Sequence, residues 1–197
     1  STALLREFHQ KGVQPSLFTI GQSDLSSQET TKDFNDWVES GIKKAFTDYK
    51  RDTPVFKLWH LNQESLTSYA KEQTLFTFYE LDQPTPFEVN IAQNQKTILV
   101  SSHYTKQIFE DHGIKNCKVI PLGFDKYNFH LKKEEYLKDK IVFNLTGKLE
   151  KRKHHKKIIQ AWLKKYGNNK DYVLQCAIAN PFIKEEDFKS AISRILE

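Results

Sequence analysis

The sequence predicts an α/β fold, a parallel sheet covered by helices. Three observations predict it. Short apolar runs of three to six residues, rich in Val, Ile, Leu, Phe and Tyr, recur along the 197 residues. Longer amphipathic stretches with helical spacing separate most of them. The two kinds alternate rather than cluster, which is the pattern of parallel strands joined by helical crossovers.

The elements follow in order. Residues 2–10 read as a helix with Leu4, Leu5 and Phe8 on one face and Gly12 at its end. Residues 16–20 (SLFTI) read as a strand. Residues 31–49 form a long amphipathic helix, with Phe34, Trp37, Val38, Ile42, Ala45, Phe46 and Tyr49 at helical spacing. A strand at 55–59 and a helix at 63–71 come next. Strands follow at 74–79 and 97–100, then a helix at 103–111 stopped by Gly113. A short strand at 118–120 ends at Pro121. Residues 141–145 and 172–177 are strands, and 155–166 and 185–196 are helices.

Hydrophobic residues at 38% and aromatics at 13% describe a folded protein with enough bulk for a core, not a disordered chain. No apolar run approaches the roughly 20 residues of a membrane-spanning helix. Cys117 and Cys176 are too few for a disulfide scaffold or a zinc site, and both read as buried thiols in a reducing, cytoplasmic interior. The chain holds no Met and so reads as a piece of a longer polypeptide or a processed one. A turn-rich, polar segment at 125–140 reads as a linker. It separates a first domain (1–124) from the start of a second (141–197), whose two strands are too few for an independent sheet.

Charge is concentrated. The run KLEKRKHHKK, residues 148–157, has six basic residues and Glu150, and so carries the whole net charge of +5. Such confinement points to a local anion site more than to a broad basic face.

Three landmarks resemble the glycosyltransferases of the two-domain GT-B fold, particularly the large retaining family 4. They are TILVSSHYTKQIFEDHG (97–113), KVIPLGFDKYNF (118–129) and FNLTGKLEKRKHHKKIIQAW (143–162). The resemblance implies Rossmann-like domains and a second domain that is truncated here. It lacks the first strand with its glycine-rich turn, and the Glu-x7-Glu region. Lys148 stands where Arg is common and His154 where Gly is frequent. The implied activity is transfer of a sugar from a UDP- or GDP-linked donor to a carbohydrate or lipid-linked acceptor hydroxyl, retaining and metal-independent. No cofactor beyond that substrate is implied, and the chain alone is expected to be inactive.

Carried over from the same pattern, Gly147, Lys148 and Lys153 bind the donor diphosphate. Cations there stabilise the charge that grows on the leaving group, and Gly147 lets the backbone approach it. Residues just beyond parallel strands face the ligand cleft, which singles out four more. Glu80 is a candidate acceptor of the hydroxyl proton, with Asp82 two residues on as an acceptor-side partner. His60 reads first as a structural residue and second as a proton-transfer candidate. Ser101 lines the acceptor side, whereas Ser102 is a helix cap. Asp125 reads as structural. His154 and His155, about 100° apart on a helix, are helix-start residues rather than a metal pair.

Two other function classes compete. One is a nucleic-acid-binding module using residues 148–157, disfavoured because no stacking aromatics interleave that run. The other is a non-catalytic interaction module. A basic strip can also touch anionic lipid, though no amphipathic anchor helix supports such peripheral membrane contact.

Overall fold

A computed structural model describes residues 2–23, 25, 30–131 and 136–196. Those residues form a mixed α/β architecture, Rossmann-like in general kind, in two compact units, Ser1–His130 and Leu131–Glu197.

The first unit contains α1 (Thr2–Gln10), α2 (Lys32–Thr47), β1 (Val55–Leu58), β2 (Gln73–Phe76), α3 (Pro86–Gln93), β3 (Thr97–Val100), α4 (His103–Asp111) and β4 (Cys117–Val119). The four strands pair in parallel in chain order, β1-β2-β3-β4. One row of the register, Lys57–Leu75–Ile98–Cys117, is buried across the whole sheet. This face packs on Ile91 and Ala92 of α3, and on Ile108 and Phe109 of α4. Leu75, Ile91, Ile98, Val100, Phe109 and Ile114 are the fully buried centre.

The expected cover on both faces is incomplete. Alternation turns Phe56, Phe76 and Phe78 to the other side, where Phe56 is 47% and Phe78 42% exposed. Their rings pack instead on one another, Phe56 to Phe76 at 6.4 Å and Phe76 to Phe78 at 5.2 Å.

Local chemistry explains each departure from the expected elements. Residues 16–20 form no strand, because the backbone pairs with a helix rather than a sheet. The Leu17 amide donates to the carbonyl of Gly41 in α2 at 2.9 Å, and Phe18 stacks on Tyr69 at 4.5 Å. A Cβ on Gly41 would meet the Leu17 side chain at 2.8 Å, so a glycine sits mid-helix there.

Instead of a helix at 63–71 there is one 3₁₀ turn, Gln63–Leu66. The buried Lys57 ammonium donates to the carbonyls of Glu64 and Thr67 and ends it. Burial pushes the Lys57 pKa below the ordinary lysine value, against the pull of Glu64. Helix α3 was not anticipated. Its signal is present as Thr85-Pro86-Phe87-Glu88, a capping box with Pro at the first helical position.

The second unit contains β5 (Ile141–Lys148), a 3₁₀ turn (Lys151–Lys153), α5 (His155–Tyr166), β6 (Tyr172–Ala179) and α6 (Glu185–Leu196). β5 and β6 pair in parallel over eight residues. His155, Ile159, Trp162 and Tyr166 recur at helical spacing along the less exposed stripe of α5, and Tyr166 stacks on Phe143 and Tyr172. Only His155 and Ile159 are fully buried among the described residues of this unit. Cys117 is buried as expected, but Cys176 is exposed, because the centre of β6 is uncovered in a two-stranded sheet.

Candidate functional site

β5 ends at Gly147 and Lys148, paired with Ile178 and Ala179 of β6. Gly147 has φ +133°, a conformation that L side chains rarely adopt. A Cβ there would lie 3.1 Å from the Lys153 ammonium and 3.7 Å from its Cδ. The bare Cα is therefore what lets Lys153 fold back over the end of the strand. The intervening turn is closed by the Lys153 amide donating to the Glu150 carbonyl at 3.0 Å.

Helix α5 then starts without a side-chain cap at His154. Its first N–H groups and the positive end of its dipole sit beside Lys153. His155, the first residue of the helix, is 3% exposed, and neither ring nitrogen has a hydrogen-bond partner.

The two lysines are not equivalent. Lys148 is engaged: its ammonium is 2.8 Å from Glu150 Oε1 and 4.7 Å from the centroid of Phe182. Arg152 lies 2.8 Å from Glu150 Oε2. The Lys148 hydrogen bond, helped by the charge of Arg152, holds the Glu150 carboxyl below its usual range. The Lys153 ammonium makes no hydrogen bond or ion pair among the described residues. Replacing Glu150 with Gln frees Lys148 and removes a negative charge from the site. The pair is partly exposed and screened, so breaking it costs little, and E150Q is expected to tighten pyrophosphate binding about two- to fivefold by calorimetry.

His154 has φ +53° and ψ +33°, the left-handed region. That costs a non-glycine residue roughly 1–2 kcal/mol, against about 0.5–1 kcal/mol for glycine's extra freedom when unfolded. His154→Gly is therefore expected to stabilise the second unit by about 0.5–1 kcal/mol, read from slower amide exchange in β5 and β6.

In the first unit, the sheet order brings His60, Glu80 and Ser101 to the carboxyl edges of β1, β2 and β3. His60 is exposed. Its ring lies edge-on to Trp59 at 5.6 Å, and its carbonyl accepts from Ser65 Oγ at 2.5 Å. Glu80 and Asp82 are exposed on the loop after β2, and Ser101 is half-buried. Ser102 caps α4 through the Thr105 amide, and Thr105 Oγ1 donates to the Tyr79 carbonyl at 3.3 Å. Burial first, then Glu88 and Asp82, pushes the Tyr79 hydroxyl up to about 12.

The sequence reading passed over Glu150, Phe182 and the burial of His155. Glu150 was visible as the lone acid in the basic run. Nothing in the sequence marked Phe182, whose place depends on β6 pairing with β5.

Among the described residues, no group of three His, Cys, Asp or Glu could hold a metal ion. No helix among the described residues is long and apolar enough to cross a membrane. A groove of about 600 Å³ in the first unit is lined by Gln14, Lys44, Tyr49 and Lys50, and by none of the candidate site residues. No protein-family model, curated protein or solved structure gives a significant match to this chain.

Proposed function

We propose that this chain carries the donor-phosphate end of a glycosyltransferase of the two-domain GT-B kind. The enzyme would move a sugar from a UDP- or GDP-linked donor to an acceptor hydroxyl. The observation that carries the reading is Lys153, its ammonium laid over Gly147 at the carboxyl end of β5, beside the uncapped first turn of α5. Breaking the bond between the sugar and its leaving oxygen adds negative charge to a diphosphate. A fixed ammonium and free helix N–H groups stabilise that charge as it develops. Lys148 is a second cation, available once an anion competes with Glu150 for it. The ordered motifs at 97–113, 118–129 and 143–162 support retention of configuration without a metal, by resemblance. On the acceptor side, Glu80 and His60 are the proton-transfer candidates, with Asp82 and Ser101 as hydroxyl partners.

Calorimetric titration with pyrophosphate, UDP- and GDP-hexoses, and a single-stranded RNA at two salt concentrations tests the proposal. Diphosphates are expected to bind and to displace one another. RNA binding that falls steeply with salt, with no diphosphate binding, would instead make residues 148–157 a nucleic-acid-binding segment.

A further inference from the structure

The loop after β6 carries an aromatic ring to the proposed diphosphate site. The Leu149 amide donates to the Ala179 carbonyl at 2.8 Å, and Asn180 Nδ2 donates to the Leu149 carbonyl at 2.9 Å. These bonds tie the loop after β6 to the loop after β5. The Asn180 side chain also accepts from the Phe182 amide at 3.0 Å, which fixes the turn that presents Phe182. The ring meets the Lys148 ammonium at 4.7 Å yet stays 80% exposed. A large apolar ring held out in water by a fixed turn contributes little to packing, since only a small part of its surface is buried. An aromatic face next to cations is the combination that nucleotide-binding grooves use, the cations on phosphate and the ring on a base. A ligand that meets both the cations and the ring carries phosphate and a planar ring.

We infer that Phe182 is the stacking platform for the nucleobase of a nucleoside diphosphate whose phosphates sit at Lys148, Lys153 and Gly147. The inference rests on the diphosphate reading above and adds the residue that separates a nucleotide from a bare diphosphate. Stacking tolerates any base, so uridine and adenosine diphosphates bind alike to within a few-fold, and purines somewhat more tightly.

The test titrates pyrophosphate, UDP and ADP into the wild-type chain, Phe182→Ala and Phe182→Trp. In wild type, UDP and ADP are expected to bind about tenfold more tightly than pyrophosphate. Phe182→Ala should erase that advantage and leave pyrophosphate affinity within twofold, and Phe182→Trp should restore it. The high exposure of Phe182 makes both variants safe for folding. If pyrophosphate binds but UDP and ADP gain nothing over it, or keep their gain in Phe182→Ala, the stacking role is overturned and the diphosphate site stands. If pyrophosphate does not bind wild type at all, the diphosphate site itself falls, and the platform with it.

Discussion

Lys153→Ala lowers pyrophosphate affinity about 10- to 100-fold, while Lys157→Ala, four residues on, changes it less than twofold. The contrast follows from placement rather than charge, because both substitutions remove one positive charge. Lys153 lies over the bare Cα of Gly147 and has no carboxylate partner among the described residues. Its ammonium is held near the strand end, and the Glu150 carboxylate, paired to Lys148 and Arg152, feels Lys153 as the weakest of its cations. A hydrogen bond to a charged group contributes about 1.5–3 kcal/mol, which sets the expected range. Lys157 is exposed and adds only a screened, long-range attraction. Gly147→Ala supplies an independent check, since its Cβ would meet the Lys153 side chain and strain the backbone at φ +133°. It is expected to weaken pyrophosphate binding with Lys153 intact. Equal losses in Lys153→Ala and Lys157→Ala would show that the basic run acts as a diffuse field and that no discrete site exists there.

Asp125→Ala destabilises the first unit by about 3 kcal/mol, measured by urea denaturation. Asp125 follows the Pro121-Leu122-Gly123 segment, and its side chain is 13% exposed. One carboxylate oxygen accepts from Arg6 Nη1 at 3.2 Å and from Asn128 Nδ2 at 2.8 Å. The other accepts from the amides of Tyr127 at 3.1 Å and Asn128 at 3.3 Å. Arg6 is 9% exposed at its side chain and lies over the Phe34 ring of α2 at 5.9 Å. One carboxylate thus joins the first helix, the second helix and the segment after the last strand of this sheet. Removing it takes one ion-pair contact from a buried guanidinium and frees two turn amides. Removing one member of a buried pair typically costs about 3–5 kcal/mol, and the slight exposure of both partners favours the low end. Asp125→Asn keeps some of the acceptors and should lose less. A loss under about 1 kcal/mol for Asp125→Ala would mean that water replaces the carboxylate at no cost.

The sequence by itself determined the period of each element, and period is local. Apolar spacing and caps mark α1, α2, α4, α5 and α6, and short β-branched and aromatic runs mark β1 to β6. Capping chemistry was equally local, as Ser102 on α4 shows. Even α3, passed over in the reading, was written in Thr85 to Glu88. A strand, by contrast, exists only through a partner. SLFTI has strand composition, but tertiary packing laid it on Gly41 of α2 instead of a sheet edge. The candidate site divides in the same way. Gly147, Lys148 and Lys153 were legible from their order after an apolar run. Their unequal roles were not, because Glu150 takes Lys148 and leaves Lys153 over the glycine only once the chain turns back at residues 149–153. Phe182 is 34 residues from Lys148, and only the parallel pairing of β5 with β6 sets its ring against that ammonium. Local periodicity carries no information about such distant neighbours, since the energy that chooses them comes from contacts between residues far apart in the chain.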